Sequence, residues 1–70
     1  MPDHIYKTIE LTGTSSIGSD DAVKNALARA SKTTRNLRWF EVTEVRGRIE
    51  NSGVGQWQVA VKVAFALDEE

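Results

Sequence analysis

The residues in this chain that could do chemistry are few, and their types narrow the choice quickly. Cysteine is absent and His4 is the one histidine, so neither a thiolate nucleophile nor a serine–histidine–acid arrangement can be assembled. Disulfides and most structural zinc sites go with them. Glu41, Glu44 and Glu50 follow one another without the spacing of an oxygen-ligand metal loop. Gly13-Thr14-Ser15-Ser16 stands just ahead of a helical pattern, where backbone N–H groups could meet an anion; a plain strand-to-helix loop explains it as well. Lys32, Arg35 and Arg38 make a short basic stripe, read first as a helix's wet face and second as a phosphate contact. His4 reads as a tail residue. Nothing in this set points to an enzyme. What remains is an aromatic and an amide, Trp39 and Gln58, and their meaning depends on the elements that carry them.

His4 to Thr12 reads as a strand with Ile5, Ile9 and Leu11 on one side and Tyr6, Thr8, Glu10 and Thr12 on the other. Lys7 falls on the apolar side, close to the strand's start, where its stem can snorkel. The segment from Gly13 to Gly18 is expected to be a loop. Ser19 fits an N-cap, followed by Asp20 and Asp21 at the positive end of a helix dipole. Val23, Ala26, Leu27, Ala30, Thr34 and Leu37 recur at helical spacing, so a helix is expected from Asp20 to Arg35, with Asn36 as a left-handed cap. Arg38 to Glu50 and Gln56 to Leu67 read as two further strands, joined as a hairpin by Asn51-Ser52-Gly53. The alternation slips around Val45-Arg46-Gly47, which predicts a bulge there.

The third strand alternates without a break. Trp57, Val59, Val61, Val63, Phe65 and Leu67 should face the helix, joined by Phe40 and Val42. The opposite face then carries Tyr6, Thr8 and Glu10, then Trp39, Glu41 and Thr43, then Gln58, Ala60, Lys62, Ala64 and Ala66. It is too polar and too small for a second core, yet an indole projects from it. Two readings fit: Trp39 packs against a neighbouring subunit, or it is a stacking platform for a flat ring whose edge Gln58, one strand over, meets with a donor and an acceptor.

Seventy residues with 40% hydrophobic content make one α+β domain spanning 1–70. A core of this size rarely supplies more than about 3–5 kcal/mol. With no disulfide to help, self-association is the expected remedy. Nine basic against ten acidic residues leave a net charge of −1, which argues against a general nucleic-acid binder. No apolar run is long enough for a membrane helix, and the Met1-Pro2-Asp3-His4 start lacks a signal-peptide pattern; a cytoplasmic location is the default expectation, not a deduction. Asp68-Glu69-Glu70 reads as a solvated tail.

Taken together, Tyr6-Lys7, Glu10 through Ser15, Ala28 through Thr33, Asn36-Leu37-Arg38-Trp39-Phe40-Glu41-Val42, Arg46-Gly47, Gln58-Val59 and Lys62 through Leu67 resemble the dodecins, in order and over nearly the whole chain. The resemblance implies a β-α-β-β protomer whose three-stranded antiparallel sheet wraps one helix, assembled as a hollow homododecamer. It also implies non-catalytic binding of a flavin, FMN or riboflavin, for storage and photoquenching, with the isoalloxazine stacked on tryptophan at symmetry-related interfaces. By the same resemblance Trp39 matches the stacking tryptophan, Gln58 the glutamine that bonds the ring edge, and Arg46 an arginine near the site. Some bacterial members also bind coenzyme A. Ala66 stands where many of them carry arginine, and Ala64 where glycine is usual. That leaves FMN against riboflavin, and coenzyme A, open. Trp57, an extra indole, is expected to pack on the core side. The alternative is a purely structural oligomer with Trp39 buried between protomers.

Overall fold

The computed structural model describes residues 3–67, so the expected acidic tail at 68–70 lies outside the described residues. The chain runs β1 (Tyr6–Ser15), α1 (Ser19–Thr33), β2 (Leu37–Glu50) and β3 (Gly53–Ala66). The three strands form one antiparallel sheet in the order β1-β3-β2, with the unbroken alternating strand at its centre. No described helix is long and apolar enough to cross a membrane.

β1 starts two residues later than expected and runs three residues further, through the supposed loop. Gly13, Thr14 and Ser15 pair with Val59, Gln58 and Trp57. Gly13 is the reason the extension is possible. A Cβ there would overlap the Ala22 carbonyl oxygen and come within 2.9 Å of Ala26 Cβ, so only glycine lets helix and strand approach this closely. Ser19 is not the N-cap; it is the first helical residue, and Gly18 precedes it with no side-chain cap. Ser15 instead fixes the turn that leads into the helix. Ser15 Oγ accepts from the N–H groups of Ile17 (2.9 Å) and Gly18 (3.3 Å) and donates to Asp21 Oδ2 at 2.7 Å.

At its other end α1 stops at Thr33, short of Arg35, with the Thr34 N–H donating to the Ala30 carbonyl at 3.0 Å. Asn36 is left-handed (φ 67°), as expected, but it lies beyond the cap. It turns the chain into β2 and offers its carbonyl to the Ala66 N–H at 3.0 Å. The hairpin turn is two residues, Asn51 and Ser52, both with positive φ, a primed turn that suits the strand twist; Gly53 already pairs with Glu50.

The core is small. Val59, Val61 and Val63 on β3 pack against Ala22 and Ala26, with Ile9, Leu11, Val23, Leu27, Leu37 and Trp57 closing around them. Trp57 is thus on the core side, as expected. Phe40 and Val42, expected in the core, share its face by register opposite Val63 and Val61 but remain 47% and 41% exposed. The cause is that α1 lies over β1 and β3, and β2 reaches past it. Leu67 likewise falls after β3 and is exposed. The Cα radius of gyration is 14.6 Å, against about 11 Å for a compact chain of this length. The accessible surface of 5208 Å² exceeds the roughly 4,400 Å² expected for a monomer of 7.8 kDa. The excess is the uncovered hairpin.

Candidate functional site on the uncovered sheet face

Register irregularities in β2 decide what the outer face carries. Val42 pairs with Val61 and Glu44 with Ala60, so Thr43 is the extra residue of a bulge. Its hydroxyl lies 3.2 Å from the Ala60 carbonyl and 3.3 Å from Glu10 Oε2. The slip expected at Val45-Arg46-Gly47 therefore falls earlier, and pairing is continuous from Glu44 to Arg48. Further irregularities follow Leu37 and Arg48. As residues opposite each other across an antiparallel pair share a face, Trp39 (opposite Ala64), Glu41 (Lys62), Glu44 (Ala60), Arg46 (Gln58) and Arg48 (Gln56) all face away from α1.

This face has an aromatic end and a polar end. At the first, Tyr6 of β1 pairs with Ala66 and Trp39 of β2 with Ala64, so the two rings flank the central strand. They meet across it edge to face, with centroids 4.8 Å apart and planes at 62°. Ala64 is fully buried and Ala66 nearly so, the floor beneath the rings, while the indole itself stays 50% exposed. Trp39 is therefore not shut inside the protomer. On its other side, Trp39 and Phe40 border a cleft of about 170 Å³ with Leu27, Leu37, Arg38 and Val63.

At the polar end, Arg46 Nε donates to Gln58 Oε1 at 3.0 Å, and Gln58 Nε2 donates to Gln56 Oε1 at 2.9 Å. Arg46 Nη1 also lies 3.6 Å from Glu44 Oε1, an exposed pair of little energetic weight. The Gln58 amide keeps one acceptor lone pair and one N–H for a ligand, and its two neighbours fix which end is which. Between the two ends, Lys62 stands in register between Glu10 and Glu41.

Of the expected site residues, the structure brings Arg46 and Gln58 together and leaves Trp39 apart. Gln58 lies six positions along β3 from Trp39's partner Ala64, about 20 Å at the strand's rise of roughly 3.3 Å per residue. A fused three-ring plane reaches only about half as far. Within one protomer the two residues thus stand at opposite ends of the face. Two contributors had no role in the sequence reading: Tyr6, whose signal was an aromatic facing alanines on the central strand, and Gln56, which shares Gln58's face two residues away. Among the described residues no three metal-ligating side chains cluster, and Thr14, Asn25 and Arg29 line a cleft of about 290 Å³ between β1 and α1.

Fold and face together define a small sheet-and-helix module with an indole presented on the side away from its helix. A family model for dodecin matches residues 5–68. Dodecin of Thermus thermophilus is 52% identical over 65 residues, covering 93% of this chain and 94% of that protein. The solved structure of dodecin from Streptomyces coelicolor superposes with a TM-score of 0.92 at 53% identity over the whole of both chains. That of dodecin from Streptomyces davaonensis does so at 0.92 and 47% identity, over 97% of this chain and 100% of the other. The chain belongs to the dodecin family.

Proposed function

We propose that the chain binds a flavin, FMN or riboflavin, without transforming it, at an interface between copies of itself. In this reading Trp39 of one protomer stacks on the isoalloxazine, and Gln58 of another addresses the ring edge with Arg46 beside it. The observation that carries it is the half-exposed Trp39 indole on a face with no core of its own. The roughly 20 Å along β3 between the register positions of Trp39 and Gln58 supports a site shared between copies. The uncovered inner side of β2, with Phe40, Val42 and Val45 exposed, gives copies an independent reason to associate.

The residues fit the group. Stacking a planar π-system on an indole contributes about 1–3 kcal/mol, and the half-used Gln58 amide matches a ring edge that alternates acceptor and donor. With the tryptophan of a second copy covering the ring's other face across the interface, no room is left for a substrate, so the role in this reading is storage and quenching. Ala66 offers no charge to the phosphates of coenzyme A, which the reading leaves out.

Titrating riboflavin or FMN with the protein should quench flavin fluorescence, and Trp39→Ala should weaken binding about 5- to 150-fold, the stacking energy converted. Unchanged binding in that variant dismisses Trp39 as the platform. Colourless purified protein whose melting temperature ignores added flavin favours the structural oligomer, with Trp39 packed between protomers.

A further inference from the structure

We propose that Tyr6 is a positioning residue for the flavin site: its ring holds the Trp39 indole in the orientation that stacks, although it belongs to a strand not adjacent to Trp39's own. This rests on the flavin reading above.

β1 and β2 lie on opposite sides of β3, so their backbones are separated by two strand spacings, roughly 9–10 Å. Side chains that far apart meet only if both are long and nothing tall stands between. Both conditions hold here. Tyr6 and Trp39 lean over β3 and meet at 4.8 Å, and the central strand beneath them presents only Ala66 and Ala64, which the rings bury.

Trp39 needs such a partner. The register irregularity between Leu37 and Trp39 removes regular strand neighbours on its N-terminal side. Its cross-strand partner Ala64 supplies a floor but no wall. Among the described residues, the one aromatic ring in contact with the indole is Tyr6. An indole free to turn about its χ angles would have to be ordered by each incoming flavin, and that entropy would be lost from affinity. Tyr6 meets the cost during folding. The contact is made by the ring, because T-shaped packing needs the face and edge of an aromatic and not the phenol oxygen.

The test uses the assembled full chain with Trp57→Phe, so that Trp39 is the one indole reporter. Time-resolved fluorescence anisotropy of the flavin-free protein reads Trp39 mobility, and flavin quenching reads affinity. Tyr6→Ala should add a fast local depolarisation of Trp39 and weaken riboflavin binding about threefold to tenfold, with the assembly unchanged by light scattering. Tyr6→Phe should behave as the parent. Unchanged anisotropy or affinity in Tyr6→Ala overturns the proposal, as does an equal loss in Tyr6→Phe. If Tyr6→Ala fails to assemble, Tyr6→Leu carries the same comparison, keeping apolar bulk without a ring. Riboflavin binding that survives Trp39→Ala sinks the flavin site itself. Binding lost in Trp39→Ala but untouched by Tyr6→Ala sinks the positioning role alone.

Discussion

A site divided between protomers makes a prediction that a site within one protomer does not. Take two variants, Trp39→Ala and Gln58→Ala, each defective alone. The first removes a stack worth about 1–3 kcal/mol. The second removes one or two hydrogen bonds of about 0.5–1.5 kcal/mol each and leaves Arg46 and Gln56 without their partner. Unfold the two together in equal amounts and let them reassemble. A complete site then needs an intact Trp39, found on half the subunits, facing an intact Gln58, found on the other half. With the site divided as proposed, random mixing therefore restores about one quarter of the sites to parent affinity, since Trp39 and Gln58, far apart along β3, then come from different chains. Riboflavin quenching titrated against the mixed assembly should show a tight phase of that amplitude above a weak background. Were the two residues to serve one ring from one chain, no mixed subunit would carry both, and the tight phase would be missing. Its absence from an assembly shown to be mixed by mass spectrometry refutes the division of the site.

Two predictions concern the scaffold that holds this face. Gly13→Ala places a methyl group against the Ala22 carbonyl and Ala26 Cβ, backbone and helix atoms that cannot yield without lifting α1 off β1; a loss of about 1–3 kcal/mol or more is expected in denaturant unfolding, and a loss below half a kcal/mol would show that the helix sits further out. Ser15→Ala leaves the Ile17 and Gly18 N–H groups without their acceptor and Asp21 without its hydroxyl donor, so about 1–2 kcal/mol should go by the same measurement, and Ser19→Ala, which caps nothing, should cost far less.

The β-α-β-β order, the alternation of the third strand, the outward indole and a hairpin turn at Asn51-Ser52-Gly53 were all legible in the sequence, because period-2 alternation and turn-forming residues are local signals. The start of the helix was not. Ser19 has the residue type of an N-cap and is followed by Asp20 and Asp21, but Gly18 precedes the helix without a side-chain cap, and Ser15 at the end of an adjacent strand ties down the entry turn, which is a tertiary fact. Gly13 shows the same limit: as punctuation it reads as a loop, whereas its missing Cβ is used for helix-to-strand contact in the middle of a paired segment. The pairing of Tyr6 with Trp39 needed the strand order, since nothing local says that β3 lies between them.

Arg46 shows how much of the candidate site hangs on a single inserted residue. Between Trp39 and Val42, even-numbered residues of β2 face the helix side, as Phe40 and Val42 do opposite Val63 and Val61. Continued without interruption, that parity would turn Arg46 inward, towards the apolar side, and send Val45 out to the polar face. The sequence pattern shows that the alternation slips, but it put the slip around Val45-Arg46-Gly47 and did not identify the skipped residue. Thr43 is where the chain skips, and its hydroxyl has the Ala60 carbonyl at 3.2 Å and the Glu10 carboxylate at 3.3 Å to meet there. Neither Val42 nor Val45 has a side chain that could make such a contact. The bulge therefore sets the guanidinium beside Gln58 and the indole on one face, and the polar end of the site depends on a threonine that touches neither residue.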